Sequence, residues 1–204
     1  MMLIGLSGYA GAGKDLFAQL ASERTGCARM AFANALRLEV AQAFGISPAI
    51  LLDRETKGTP NPLLRADWCT DLAFAEILRA RGRETYSPRD VMQLWGTEYR
   101  RAEDPHYWIT RAAASAWTRA LAGNEVCLVT DCRFPDEASW IEAQGGQIWR
   151  IDRPGVEPTN EHRSERAIDD WPFALRIRND GSIEQLRKIA FDLVSTRLST
   201  TAGS

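Results

Sequence analysis

Lysine is almost missing. The chain has three lysines against 22 arginines, with two histidines and four cysteines in 204 residues. Cys27, Cys69, Cys127 and Cys132 contain no C-x-x-C pair, and only His106 and His162 could assist them. A zinc site of the usual ligand spacing therefore has no footing, and reduced thiols of a cytoplasmic protein are the simpler reading. No apolar run approaches the roughly 20 residues that span a bilayer. The N-terminal stretch "MMLIGLSGYAG" lacks the basic start of a signal peptide and leads straight into glycines, so it reads as a strand. A net charge of −2 gives no global field toward nucleic acid or an anionic membrane. The arginine excess is explained most simply by GC-rich coding. Guanidinium forks also grip phosphates, so only arginines inside motifs bear on function. There is no repeat, no low-complexity tract and no linker that would split the chain into separate folding units.

What is present is an alternation of strands and helices. "MLIGLS" (Met2–Ser7) is a short apolar run that stops at a glycine, as a buried parallel strand does. A helix with Leu16, Leu20 and Ala21 on one face follows and stops at Gly26. Ala28–Phe32 reads as a second strand, and strand–helix–strand predicts a parallel sheet. Further strands are expected at Val126–Asp131, Gln147–Asp152 and Ala174–Asn179, with a helix from Pro135 to the Gly145-Gly146 stop. Ser182 and Gln185 have capping-box spacing, and Leu186, Ile189, Ala190, Leu193, Val194 and Leu198 then recur at helical intervals. Between the second and third strands, residues 33–45, 62–82, 88–101 and 107–123 read as helices. Trp108, Trp117 and Trp140 fall at helix-like positions and are read as core. The charged, proline-rich stretch from about Arg153 to Pro172 reads as a mobile loop.

The chemistry begins at "GYAGAGKD", Gly8 to Asp15. It fits G-x-x-x-x-G-K through Gly8, Gly13 and Lys14, in the strand-to-helix context that a phosphate loop requires. Such a loop turns backbone amides toward phosphate, and the helix dipole adds to the field. Asp15 stands where a magnesium-binding hydroxyl is usual. It either helps to hold Mg²⁺ or touches the acceptor; otherwise it is a solvated first-turn acid. Asp131 ends an apolar strand, as a second magnesium carboxylate would, and Arg133 projects from the same edge toward a transferred or accepting phosphate. An Asp–Arg surface pair is the plain alternative.

Five stretches together resemble one family. "GYAGAGKD" resembles the G-x-x-G-x-G-K-D loop of bacteriophage-type deoxynucleoside monophosphate kinases, in which Asp after the Lys is usual. "SPRDVMQLWGTEYRR" resembles their P-R-x-x-x-Q-x-x-G-T-E segment, and "VTDCRFPDEA" their D-x-R-F-x-x-E-A. "NEHRSERAI" resembles an H-x-S-E element and "IRNDGSIEQL" a late N-x-G-S-x-x-x-L. The resemblance implies an α/β, three-layer P-loop kinase fold of the nucleoside monophosphate kinase type, with a five-stranded parallel sheet. The core would be about 1–34, 123–152 and 173–198, with a monophosphate-binding helical insert at about 35–122 and a lid at about 153–172. It implies transfer of the γ-phosphate of ATP to a deoxynucleoside monophosphate, with Mg²⁺. Donor binding would fall to Gly8, Ala10, Gly11, Ala12, Gly13, Lys14, Asp15 and Asn179. Acceptor binding would fall to Arg37, Arg89, Gln93, Glu98, Arg100 and Arg133, and metal binding to Asp131 and Asp15. Lys14, Asp15, Asp131, Arg133, Arg163 and Arg166 would form the catalytic set. Read from the residues alone, Val91, Leu94 and Trp95 make a packing face and Arg89, Gln93 and Arg100 are solvated. The partners implied are small nucleotides, with no nucleic acid and no membrane. A homodimer is left open, and the compartment is the cytoplasm, the host's if the chain is phage-encoded.

Two rivals remain at this point. One is a P-loop kinase with another acceptor, such as a phosphomevalonate-like molecule or a modified base in DNA. The near-neutral charge argues against the DNA form, which wants a basic groove. The other is a nucleotide-binding protein without catalysis, which has no need of Asp131 and Arg133 together. The stretch 53–86 matches no motif, and it lies where base selection would be made.

Overall fold

The structure is a computed structural model; it describes residues 1–53, 55–158 and 166–201. Residues 1–32 together with 112–204 form one compact unit, and 33–111 form a second.

The first unit is built on a five-stranded, wholly parallel sheet in the order β2-β3-β1-β4-β5. The strands are β1 (Met2–Ser7), β2 (Ala28–Met30), β3 (Val126–Val129), β4 (Gln147–Asp152) and β5 (Leu175–Arg178). Side chains alternate along β1. Ile4 and Leu6 join a core with Phe17 and Leu20 of α1 (Lys14–Thr25) and with Leu186, Ala190 and Val194 of the last helix, α9 (Ile183–Thr201). Trp149 of β4 closes this layer edge-on against Phe17, with ring centroids 6.4 Å apart. The opposite face is covered at β1 by α8 (Pro135–Ala143). A Cβ on Gly5 would lie 2.8 Å from Ile141 Cδ1, so a larger residue there would push that side chain aside. Helices on both faces of a parallel sheet make three layers, as expected.

Capping accounts for the helix limits. Ser182 Oγ accepts from the Gln185 amide and Gln185 Oε1 from the Ser182 amide, the reciprocal box anticipated for α9. The strand expected over Ala28–Phe32 is shorter, because Phe32 already opens α2 (Phe32–Phe44) and its amide donates to the Asp131 carboxylate at 2.7 Å. All four cysteines are free and buried.

The second unit is helical. It holds most of α2, then α3 (Ala49–Leu52), a 3₁₀ turn (Ala66–Trp68), α4 (Leu72–Ala80), α5 (Pro88–Gln93), a π-helical stretch (Leu94–Arg100), α6 (Arg101–Glu103) and the start of α7 (Tyr107–Leu121). The single helix anticipated over 62–82 is broken, since Asp71 caps α4 by accepting from the Phe74 amide. Ser87 and Asp90 form a capping box at α5. The π-helical stretch interrupts the helix read over 88–101. There the Gly96 carbonyl accepts from Trp108 Nε1 at 2.9 Å, and a Cβ on Gly96 would press Leu36 Cδ2 at 3.0 Å. Phe74 stacks at 4.6 Å from Trp95 and 5.6 Å from Tyr99 to form the unit's aromatic core.

Trp108 is buried, as anticipated, and Trp140 is half-buried against Phe32. Trp117 is 70% exposed, so its reading as core is corrected. The buried line on α7 runs Trp108, Ala112, Ala116, and Trp117 falls about 100° around the helix from its neighbour Ala116. Among the described residues no helix is long and apolar enough to cross a membrane.

Candidate active site

The glycine loop leaves the carboxyl end of β1, the central strand, where β3 lies on one side and β4 on the other. Ligands of open parallel sheets bind at such a point. Two glycines are obligatory. Gly8 has φ 135°, and a Cβ there would meet the Ile151 carbonyl oxygen at 2.3 Å; Gly13 has φ 100°, and a Cβ there would meet Asn179 Nδ2 at 2.5 Å. The Ala12 amide closes the turn on Tyr9 O at 3.1 Å. Lys14 Nζ curls back to Gly8 O at 2.6 Å and Tyr9 O at 2.9 Å, which places its ammonium at the mouth of the loop. Because α1 starts at Lys14, its first-turn amides lie outside the helix's own ladder. Orphan amides at a helix start beside an ammonium are the elements of an anion cradle. Ala10 and Gly11 are exposed on its rim, Ala12 is buried, and Asp15 is exposed in the first turn of α1.

Asn179 fixes the loop from beneath. Its Nδ2 donates to Ala12 O at 2.8 Å, and its amide donates to Asp152 O at 2.8 Å.

The chain leaving β3 supplies the second set. The Cys132 amide donates to Leu6 O at 3.2 Å, so residues 131–133 run beside the end of β1. Asp131 Oδ1 accepts from the Phe32 amide, and Asp131 and Arg133 are both half-buried. Between them Cys132 is buried, and burial, with carboxylates including Glu137 and Asp131 nearby, pushes its thiol well above the usual range. It therefore stays protonated and is no nucleophile. Glu137, the Glu of the D-x-R-F-x-x-E-A stretch, was given no role among the site residues. It is 3% exposed, and its Oε2 accepts from the amides of Arg133 at 2.8 Å and Phe134 at 3.1 Å. The signal was its place three residues after Phe134 at a helix start, where a carboxylate satisfies orphan amides.

On the other side of β1, Arg150 of β4 was also missed. It is 5% exposed and donates to Asp152 Oδ1 at 2.9 Å and Asp169 Oδ1 at 2.8 Å. A charge within the otherwise apolar "IWRI" was the readable clue, because a cation inside a buried strand must find anions. Residues 166–173 are turn-like, and Ile168 is buried at 5% exposure, a contact that charge and proline content did not suggest. Val156 lies beside Gly11, with Cγ1 at 4.0 Å from where a Cβ would be. Arg166 is exposed. Arg163, like His162 and Glu165, lies outside the described residues.

In the second unit the acceptor candidates divide. Arg100 is committed to carboxylates, at 3.3 Å from Glu39 and 3.5 Å from both Asp71 and Glu103, and its guanidinium stacks 4.4 Å from the Tyr99 ring centroid. The residue read as solvated is thus enclosed. Glu98 pairs with Arg81, and Arg37 donates to Asn34 Oδ1 at 2.8 Å. Arg89 and Gln93 are half-buried on α5, and no side-chain hydrogen bond or ion pair engages either among the described residues. The Arg89 backbone is fixed by its amide, which donates a hydrogen bond to Lys57 O at 2.9 Å.

A family model described as deoxynucleotide monophosphate kinase matches residues 68–189. The chain belongs to the deoxynucleotide monophosphate kinase family. The matched span contains Arg89, Gln93, Asp131, Arg133 and Asn179, while the glycine loop precedes it. An Acanthamoeba polyphaga mimivirus protein, provisionally named a deoxynucleotide monophosphate kinase, is 30% identical over 198 residues, covering 91% of this chain and 92% of its own. The deoxynucleotide monophosphate kinase of Escherichia phage RB69 is 31% identical over 104 residues, half of this chain and 43% of that longer protein. Among solved structures, a sugar kinase from Janibacter sp. HTCC2649 aligns over 96% of this chain and 95% of its own at 14% identity, with a TM-score of 0.47. That distance adds nothing to the family assignment.

Magnesium fits the donor set of this family member only as a shared ion. No group of three or more His, Cys, Asp or Glu converges among the described residues. Magnesium is commonly held by one or two carboxylates together with substrate phosphates, a number that the half-buried Asp131 and the exposed Asp15 would fit.

Proposed function

We propose that the protein transfers the γ-phosphate of ATP to a deoxynucleoside 5′-monophosphate, yielding ADP and the deoxynucleoside diphosphate. The observation that carries the proposal is the anion cradle of Gly8–Lys14 at the end of β1, flanked by Asp131 and Arg133 after β3. An oxygen of the acceptor's phosphate attacks the γ-phosphorus, the bond to the β–γ bridging oxygen breaks, and ADP leaves with that electron pair. The protein's part in such a reaction is positioning and charge stabilisation.

The loop amides and Lys14 hold the β- and γ-phosphates of the donor, and Asn179 keeps the loop in shape on the donor side. Asp131, with Asp15, would hold Mg²⁺, which when bound neutralises phosphate charge. Arg133 holds the accepting phosphate, and Glu137 fixes the turn from which it projects. Arg89 grips the acceptor's phosphate and Gln93 reads a base edge. Arg89 is preferred over Arg100 because three carboxylates already engage Arg100. Arg166 and Arg163 serve as the closing clamp of a lid over the transferring group.

An assay of ADP release with ATP, magnesium and each deoxynucleoside monophosphate, ribonucleoside monophosphate or short DNA in turn tests the proposal. Turnover with one or more deoxynucleoside monophosphates is expected. Turnover with DNA alone, or with none of these acceptors, would overturn it.

A further inference from the structure

Tyr9 has no part in the chemistry assigned above, yet β4 and the turn after residue 166 both reach its side chain. Its hydroxyl donates to Asp169 Oδ2 at 2.8 Å. The other oxygen of that carboxylate accepts from Arg150, whose guanidinium stands 4.8 Å from the Tyr9 ring centroid and 5.4 Å from that of Phe173. Arg150 is held in turn by Asp152, which also pairs with Arg176 at 3.2 Å. A buried guanidinium costs stability unless its donors are matched by anions, so Arg150 fixes Asp169 in place. Burial, together with the bond to Asp169, raises the Tyr9 phenol above its ordinary value, so the hydroxyl remains a donor across the neutral range.

The main chain of the same residue does different work. Tyr9 O accepts from both Lys14 Nζ and the Ala12 amide. The loop around it carries glycines of positive φ at Gly8, Gly11 and Gly13, which leaves it few rotamers and little packing of its own to define it. Holding the Tyr9 side chain therefore holds the peptide that orients the cradle. Asp169 lies in the turn closed by its own amide on Arg166 O at 3.1 Å, so the contact reaches the segment that carries Arg166.

We propose that Tyr9, Asp169 and Arg150 form a positioning brace for the donor, in which the Tyr9 hydroxyl, seated on the carboxylate that Arg150 fixes, sets the phosphate loop and ties it to the Arg166 segment. The proposal rests on the donor reading above. Tyr9 acts through the loop and is a positioning residue.

The test is a double-mutant cycle of Tyr9→Phe, which is near-isosteric, and Asp169→Ala, which leaves no group to pair with the hydroxyl, read in two ways. The first is amide exchange of the full chain without nucleotide. Each single variant raises exchange at residues 8–13 and 166–171 together, by about fivefold, the scale of one lost hydrogen bond. The double variant rises no further than the worse single, because both remove the same contact. The second reading is kinetic: the KM for ATP rises about fivefold in each single variant, while the KM for the monophosphate stays within about twofold. A rise confined to 166–171 with residues 8–13 unchanged, or effects that multiply in the double variant, would overturn the brace. If the wild-type protein transfers no phosphate, the proposed activity fails, and the nucleotide-free exchange cycle still decides the brace.

Discussion

Replacing Glu137 tests the link between a buried carboxylate and the turn that presents Arg133. Its Oε2 accepts two amides, at 2.8 and 3.1 Å. Hydrogen bonds to an ionised acceptor are worth about 1.5–3 kcal/mol each, so Glu137→Ala loses at most about 3–6 kcal/mol. Water can reach the Arg133 amide in the variant, since that residue is half-buried, which puts the expected loss near 3 kcal/mol. Glu137→Gln keeps the volume and one oxygen that can accept at the same place, so its loss is about 1 kcal/mol, the difference between a charged and a neutral acceptor. For a chain of this length 1 kcal/mol moves the melting temperature by about 2–4 °C. Thermal unfolding is therefore expected about 6–12 °C lower for the Ala variant and about 2–4 °C lower for the Gln variant. An Ala variant that melts with the wild type would show that the two bonds add nothing. Equal losses for Gln and Ala would show that the charge, rather than an acceptor at these two amides, is what stabilises.

Asp131→Asn keeps an acceptor for the Phe32 amide, so its melting temperature is expected to stay within about 2 °C of wild type while kcat falls at least about tenfold. Titrating magnesium upward should recover part of that loss; full activity at every magnesium concentration would make Asp131 a helix cap alone. Arg89→Ala should raise the KM of the monophosphate about tenfold or more and move that of ATP less than about twofold, and the reverse pattern in initial-rate kinetics would remove Arg89 from the acceptor site. Burial pushes the Cys127 thiol from 9.0 up to about 12. A raised value means that the folded protein keeps a proton the unfolded chain gives up. The stability it contributes is thus full below pH 9.0 and is lost as pH rises toward about 12, with a slope of up to about 1.4 kcal/mol per pH unit. Urea unfolding across that range should show a shallower fall for Cys127→Ala, and parallel slopes would refute the assignment.

The core of the fold was legible because its signals are local. The run Met2–Ser7 followed by glycines, the Ser182/Gln185 box and the apolar stripe from Leu186 to Leu198 each constrain one element without help from distant residues. Tertiary contact decided what the sequence left unread. Trp117 shares helical spacing with buried neighbours but lies one residue off their line. The π-helical stretch at Leu94–Arg100 depends on Trp108 capturing the Gly96 carbonyl, a partner 12 residues away. The same holds for the site. Gly8, Gly13, Lys14, Asp131 and Arg133 are marked by motif and by position at strand ends. The partners of Arg100 and Arg150 come from packing, and spacing alone does not distinguish an arginine held by carboxylates from one turned toward a substrate. Arg100 is held by carboxylates, while among the described residues none pairs with Arg89.

The central claim is that this chain moves the γ-phosphate of ATP onto a deoxynucleoside monophosphate at the Gly8–Lys14 cradle. The most direct measurement is transfer of label from γ-labelled ATP, with the products separated and identified, for the wild type and for Lys14→Ala. Labelled deoxynucleoside diphosphate is expected from the wild type, and a loss of about 10²-fold or more in the variant with its fold intact, the scale of losing a transition-state charge partner. Label appearing only as inorganic phosphate, or undiminished transfer by folded Lys14→Ala protein, would contradict the claim.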